Sequence, residues 1–149
     1  METAKQLSVS MANKPGRLAN LLMTLNKEKV GFRALSVMDS GERGTVRFVP
    51  DDLDAAIAVL DKANLRYDKS EVLLVEVPKQ AGGFGKICER LASEHLNLDY
   101  AYSSFNDGRA KGGPLAVIKL NDLAKAQRVL RGNGTSERRR PGRRPVHAR

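Results

Sequence analysis

One pattern occurs twice in this chain at a fixed spacing, and that duplication constrains the fold more than any other feature. Asn13-Lys14-Pro15-Gly16-Arg17-Leu18 lies between an alternating stretch, Gln6 to Ala12, and an amphipathic one. At an offset of 66 residues, Lys79-Gln80-Ala81-Gly82-Gly83-Phe84 again follows an apolar stretch and precedes a helical pattern. A repeat of this length is one supersecondary unit copied and packed against itself.

The first copy reads as strand, helix, strand, strand, helix, strand. Leu7, Val9 and Met11 alternate with Ser8, Ser10 and Ala12, the period of a strand with one buried face. Leu18, Leu21, Leu22 and Leu25 then form one helical stripe, with Pro15 and Gly16 at its start and Gly31 as its stop after Lys29. Phe32 to Met38 predicts a second strand, with Phe32 and Ala34 on one face and Arg33 and Leu35 on the other. Asp39-Ser40-Gly41-Glu42 is a turn, Thr45 to Val49 a third strand, and Asp51 or Asp52 caps a helix carrying Leu53, Ile57 and Leu60. Leu65 to Asp68 predicts a short fourth strand.

The second copy starts at Val72 to Val77, an almost continuous apolar run typical of an inner strand. Phe84, Ile87, Cys88 and Leu91 repeat the first helix, and Leu98 to Phe105 repeats the second strand. The loop Asn106 to Gly113 is longer, and beyond it the offset becomes 70: Leu115 to Leu120, then Asn121-Asp122-Leu123, with Leu130 matching Leu60. No fourth strand follows, which predicts a sheet edge left open or covered by a partner chain. The expectation is an α+β fold of two ferredoxin-like βαββαβ units, antiparallel sheets with helices on one face. The units are expected at 1–70 and 71–131, with a basic disordered tail at 132–149.

Composition narrows the function classes. The net charge of +9 suggests nucleic acid, but six arginines against one glutamate lie from Gly132 onward, so more than half of it belongs to the tail. Arg138-Arg139-Arg140-Pro141-Gly142-Arg143-Arg144-Pro145 can grip phosphates by counterion release; a solvated basic terminus is the favoured reading, and nucleic acid is not the expected partner. No run reaches membrane-span length, the first residues lack signal-peptide order, and the single Cys88 fits a reducing compartment, so the expected place is the cytoplasm, away from membranes. Gly82-Gly83-Phe84-Gly85-Lys86 is not a phosphate loop, because Gln80 and Ile87 replace the leading glycine and the magnesium-binding hydroxyl. Cys88 sits on an apolar stripe, and His95 near that helix's end is badly placed to activate it. No catalytic residue, metal site or cofactor is expected.

A glycine turn feeding a helix leaves backbone N–H groups that can hold a carboxylate, and asparagine carbonyls can accept from an ammonium group. The same residues also suit plain turn geometry. The doubled pattern, with Asn13-Lys14-Pro15-Gly16-Arg17-Leu18 at its first turn, resembles the ACT domain family, and the span from about Lys5 to Leu130 resembles bacterial tandem-ACT proteins. The resemblance implies a non-enzymatic regulatory module that binds a small amino acid between paired units, as a homodimer. A trans-acting subunit docking on a biosynthetic enzyme is the alternative. It implies ligand contacts at Asn13, Pro15, Gly16, Arg17 and Leu18, at Gly82, Gly83 and Phe84, and at Asn97. Lys79 and Ala81 depart from the motif in the second copy, so Asn13 and Asn97 are expected as complementary halves of one composite site.

Overall fold

The computed structural model describes residues 1–104 and 114–139, with residues 133–139 as backbone only. In chain order the elements are β1 (Glu2–Ala12), α1 (Arg17–Lys27), β2 (Phe32–Ser40), β3 (Arg43–Pro50), α2 (Leu53–Lys62), β4 (Arg66–Glu76), α3 (Gly83–Ser93), β5 (Leu98–Ser103), β6 (Leu115–Leu120) and α4 (Leu123–Arg139). The strands form one antiparallel sheet in the order β2-β3-β1-β4-β6-β5. The sheet curls until its two edge strands touch, at a bridge between Ala34 of β2 and Ser104 just past β5.

Leu7, Val9, Val46 and Phe48 pack with Leu21, Leu25, Val59 and Leu60 of α1 and α2 in one core. Leu73, Val75 and Ile118 do the same with Ile87 and Leu91 of α3 and Ala126 of α4. In-register pairs Leu7 with Phe48 and Leu73 with Ile118 place these side chains on one face, so all four helices cover that face. Ala34, Val49, Val72, Leu74 and Val117 form a third core on the opposite, inner face. β4 therefore buries both faces, as its apolar run predicts.

The duplication is visible in detail. Gly16 and Gly82 cap α1 and α3 at φ 87° and 82°, and Lys29 and His95 end them at φ 62° and 61°. Asp52 and Asp122 cap α2 and α4, accepting from Ala55 N and Lys125 N at 3.1 and 3.0 Å.

Several expectations are corrected. The short strand from Leu65 and the strand at Val72 are one strand, β4, because the polar stretch Asp68 to Glu71 pairs residue for residue with Ser8 to Lys5 instead of turning. β4 thus runs continuously through the division expected at residues 70 and 71. The open edge of the second unit is covered, but by this chain: Glu2 to Lys5 of β1 pair with Leu74 to Glu71 and take the place of the missing strand. That is why β1 begins at Glu2, well before the alternating stretch. Phe32 and Leu35 pack on the same core while Ala34 faces the inner one, because a bulge between Phe32 and Ala34 breaks the expected alternation. The left-handed residue that ends α1 is Lys29, not Gly31. A Cβ on Gly31 would lie 2.5 Å from Asp51 Oδ2, the end of an exposed side chain that can swing aside. The segment expected as tail from residue 132 begins inside α4. Phe105, the loop Asn106 to Gly113 and residues 140–149 lie outside the described residues.

Candidate ligand-binding turns

The two glycine turns differ chemically from the other helix starts. α2 and α4 have an aspartate carboxylate at the cap, whereas α1 and α3 begin at a left-handed glycine with no side-chain cap and no acid in the first turn. The first N–H of each is used locally, Arg17 N to Lys14 O and Gly83 N to Gln80 O, both at 3.2 Å. The next N–H groups, of Leu18 and Ala19 and of Phe84 and Gly85, point out of the helix end with the positive end of its dipole. A Cβ on Gly16 or Gly82 would meet nothing within 4 Å, so both turns are open to approach. Such a start can accept a carboxylate.

The neighbouring residues divide into contacts and supports. Asn13 Nδ2 donates to Asp39 Oδ1 and Gly41 O, both at 3.0 Å, and Asn13 N donates to Glu42 O at 2.8 Å. Its donors thus fasten the turn to the tip of the β2–β3 hairpin. Pro15 is exposed just before the cap, and Arg17 lines a cleft of about 230 Å³ with Asn20, Leu21 and Met11. Leu18 packs against the first core. Gly83 is buried, and a Cβ there would lie 2.7 Å from Pro78 O, so close packing accounts for it. Phe84 lines an apolar cleft of about 270 Å³ with Val77, Ala101, Tyr102 and Leu115. Asn97 is exposed between Leu96 and β5.

The structure groups Asn13 through Leu18 at one turn and Gly82 through Phe84 at the other. β1 and β4 are antiparallel and each turn follows its strand, so the two turns stand at opposite ends of the sheet. Asn13 lies beyond Ser10, the partner of Arg66, whereas Asn97 precedes Leu98, whose partner Leu120 lies beyond the Ile118–Leu73 pair. At about 3.3 Å per residue they are roughly 20–25 Å apart along the strand axis. Within one chain that separation keeps the two from meeting on one small ligand.

Sequence reasoning missed a polar cluster on the inner face. Gln6 is fully buried and holds Tyr100, Tyr102 and Ser70 through its amide. Burial, and then the neighbouring Tyr100, raise the Tyr102 hydroxyl above the usual tyrosine range, against a smaller lowering by Arg47. The only signal was Gln6 in phase with Ser8 and Ser10, which reads as a solvated strand face. Among the described residues no group of three His, Cys, Asp or Glu is placed to hold a metal, and no helix is long and apolar enough to cross a membrane.

A family profile described as an ACT domain pair matches residues 2–134. No curated protein matches the sequence. Among solved structures, a protein of Bacteroides thetaiotaomicron is 27% identical, covers 89% of each chain and superposes with a TM-score of 0.79. The ligand-free regulatory subunit of aspartate kinase from Thermus thermophilus is 15% identical, covering 87% of this chain and 89% of its own, at 0.62. The corresponding subunit from Thermus flavus is 15% identical, covering 88% and 94%, also at 0.62. These two share the fold. With the duplicated βαββαβ pattern and the profile spanning nearly its whole length, the chain belongs to the family of ACT domain pairs.

Proposed function

We propose that this ACT pair is a non-enzymatic, cytoplasmic regulatory module that binds a small amino acid at its glycine helix starts, at the seam between paired units. The observation that carries this is the contrast at the four caps: two helices bring their own carboxylate, and the two equivalent glycine starts leave theirs to be supplied. Because the two turns lie at opposite ends of the sheet, each site is completed by a second copy. The lower half of edge strand β2, where Val37 and Met38 are 54% and 49% exposed, supports a homodimer formed along that edge. Regulation then requires a ligand that prefers one arrangement of the units over another.

Asn13→Ala would also release the hairpin, so the cleaner perturbation is at the cap. Gly16→Asp and Gly82→Asp put a carboxylate where the ligand's would sit; Gly16→Asn and Gly82→Asn impose the same left-handed backbone without the charge. A thermal-shift screen against the amino acids at millimolar concentration reads binding, since a ligand at a hundred times its Kd stabilises by about 2.7 kcal/mol. The expected result is a selective shift by one or two amino acids, kept in at least one Asn variant and lost in its Asp counterpart. A flat screen, or equal shifts in all four variants, refutes it. The likeness to aspartate kinase regulatory subunits favours, as a second reading, a subunit acting in trans on a biosynthetic enzyme. A flat screen with co-purification of such an enzyme would support that one.

A further inference from the structure

The inner face of the sheet holds a second group of donors, away from the glycine turns. Gln6 Nε2 donates to Tyr100 Oη at 2.7 Å and to Ser70 Oγ at 3.2 Å, and Tyr102 Oη donates to Gln6 Oε1 at 2.6 Å. A primary amide between two phenols donates to one and accepts from the other. Whichever way the amide is turned, one phenol keeps its O–H proton uncommitted. Among the described residues that phenol is Tyr100.

Arg47 stacks on the ring of the same Tyr100, with Cζ 4.1 Å from the centroid. Its Nε is buried without an acceptor, and the guanidinium forms no ion pair among the described residues. A charged donor is costly to leave unmet in such a place. Of the acids in phase with this face, Glu2 and Glu76 stand towards the other end of the sheet, and Asp68 stands two strands away, across Ser8. Ser8 and Ser36, the register neighbours of Arg47 on β1 and β2, are half-buried and bring two more hydroxyls. A cleft of about 520 Å³, lined by Ser8, Ser10, Arg66 and the acid Asp68, opens on the far side of Ser8 from Arg47.

We propose that this inner face binds a small oxyanion, a carboxylate or phosphate group, through the Arg47 guanidinium and the Tyr100 hydroxyl. The planar fork of arginine matches both groups, and a phenol proton adds a third donor. Arg47 belongs to the first unit and Tyr100 to the second, so the bound group bridges the two units inside one chain. The site shares no residue with the glycine turns.

The chain has three tyrosines and no tryptophan, and two of the tyrosines are in this cluster, so tyrosine difference absorption reports occupancy directly. The full chain is titrated with sodium phosphate or sodium acetate, against sodium chloride at matched ionic strength. The expected result is a saturable difference spectrum with phosphate or acetate and none with chloride, the active anion identifying the group. Arg47→Lys, which keeps the charge and loses the fork, and Tyr100→Phe, which keeps the ring, should each weaken the midpoint by about tenfold, the effect of one charge-assisted hydrogen bond. Gly16→Asn and Gly82→Asn should leave it unchanged, which separates this site from the turns. No saturable spectrum with either anion, an equal response to chloride, or an unchanged midpoint in either Arg47→Lys or Tyr100→Phe overturns the proposal.

Discussion

Replacing Gln6 by Leu tests whether the inner polar cluster holds the curled sheet together. The side chain is fully buried, and leucine is close to it in size, so the change removes polarity and little volume. Three hydrogen bonds are lost, to Ser70, Tyr100 and Tyr102. Neutral bonds of this kind contribute about 1 kcal/mol each. Against that, an apolar side chain avoids about 1–2 kcal/mol of amide desolvation. The balance is a loss of about 1–2 kcal/mol, or a Tm lower by about 3–6 °C for a chain of this size. The decisive step is the second substitution. In the native background Tyr102→Phe removes a made bond and should destabilise. In Gln6→Leu the Tyr102 hydroxyl has no acceptor, so the same Tyr102→Phe should restore about 1 kcal/mol. Urea melts of the four proteins give the cycle. A Gln6→Leu protein as stable as the native one, or a Tyr102→Phe that further destabilises Gln6→Leu, would refute the account.

Two other outcomes follow from local geometry. In α3, Gly83→Ala pushes a methyl to 2.7 Å from the Pro78 carbonyl oxygen, which as backbone cannot swing aside, and should cost roughly 2 kcal/mol. Gly85→Ala, two residues on, meets nothing within 4 Å and should stabilise by about 0.5–1 kcal/mol; thermal melts that fail to give opposite signs contradict the packing. The pH dependence follows from Tyr102, whose hydroxyl pKa is raised in the folded state chiefly by burial. The unfolded tyrosine ionises near pH 10, so this contribution to stability is complete below that pH and is lost as the pH rises above about 10. Denaturant midpoints measured from about pH 8 to 11 should fall at the alkaline end, and less steeply in Tyr102→Phe.

The elements were legible in the sequence because their signals are local: leucine spacing in the helices, aspartate caps, glycine turns and the fixed offset. What was not legible depends on partners distant in the chain. Asp68 to Glu71 reads as a break until Lys5 to Ser8 lie opposite, and Glu2 to Lys5 carry no strand pattern at all, yet they complete the second unit's sheet. Gln6 looks solvated because only the curl, which brings β5 over β1, buries it. At the turns, Gly16 and Gly82 announce open helix starts. The role of Asn13 could not be read locally, since its partners Asp39 and Gly41 come from another hairpin.

The shared strands limit how such a pair can respond to a ligand. In two units joined by a linker, binding can rotate one unit against the other. Here β1 and β4 each run through both units and pair with each other from Glu2–Leu74 to Ser10–Arg66, so rotation would break the central ladder of the sheet. A packed, hydrogen-bonded ladder is not a continuous hinge. The cheaper motion is at the closure of the curl. There β2 and β3 meet β5 through the Ala34–Ser104 bridge and the stacking of Arg47 on Tyr100. Among the described residues these contacts, with the Gln6 bonds to Tyr100 and Tyr102, close the curl without a continuous ladder, so local opening there costs less than at β1 and β4. A change in occupancy on the inner face would therefore act first on how tightly the sheet closes. It would reach the helix starts through the ends of the same strands.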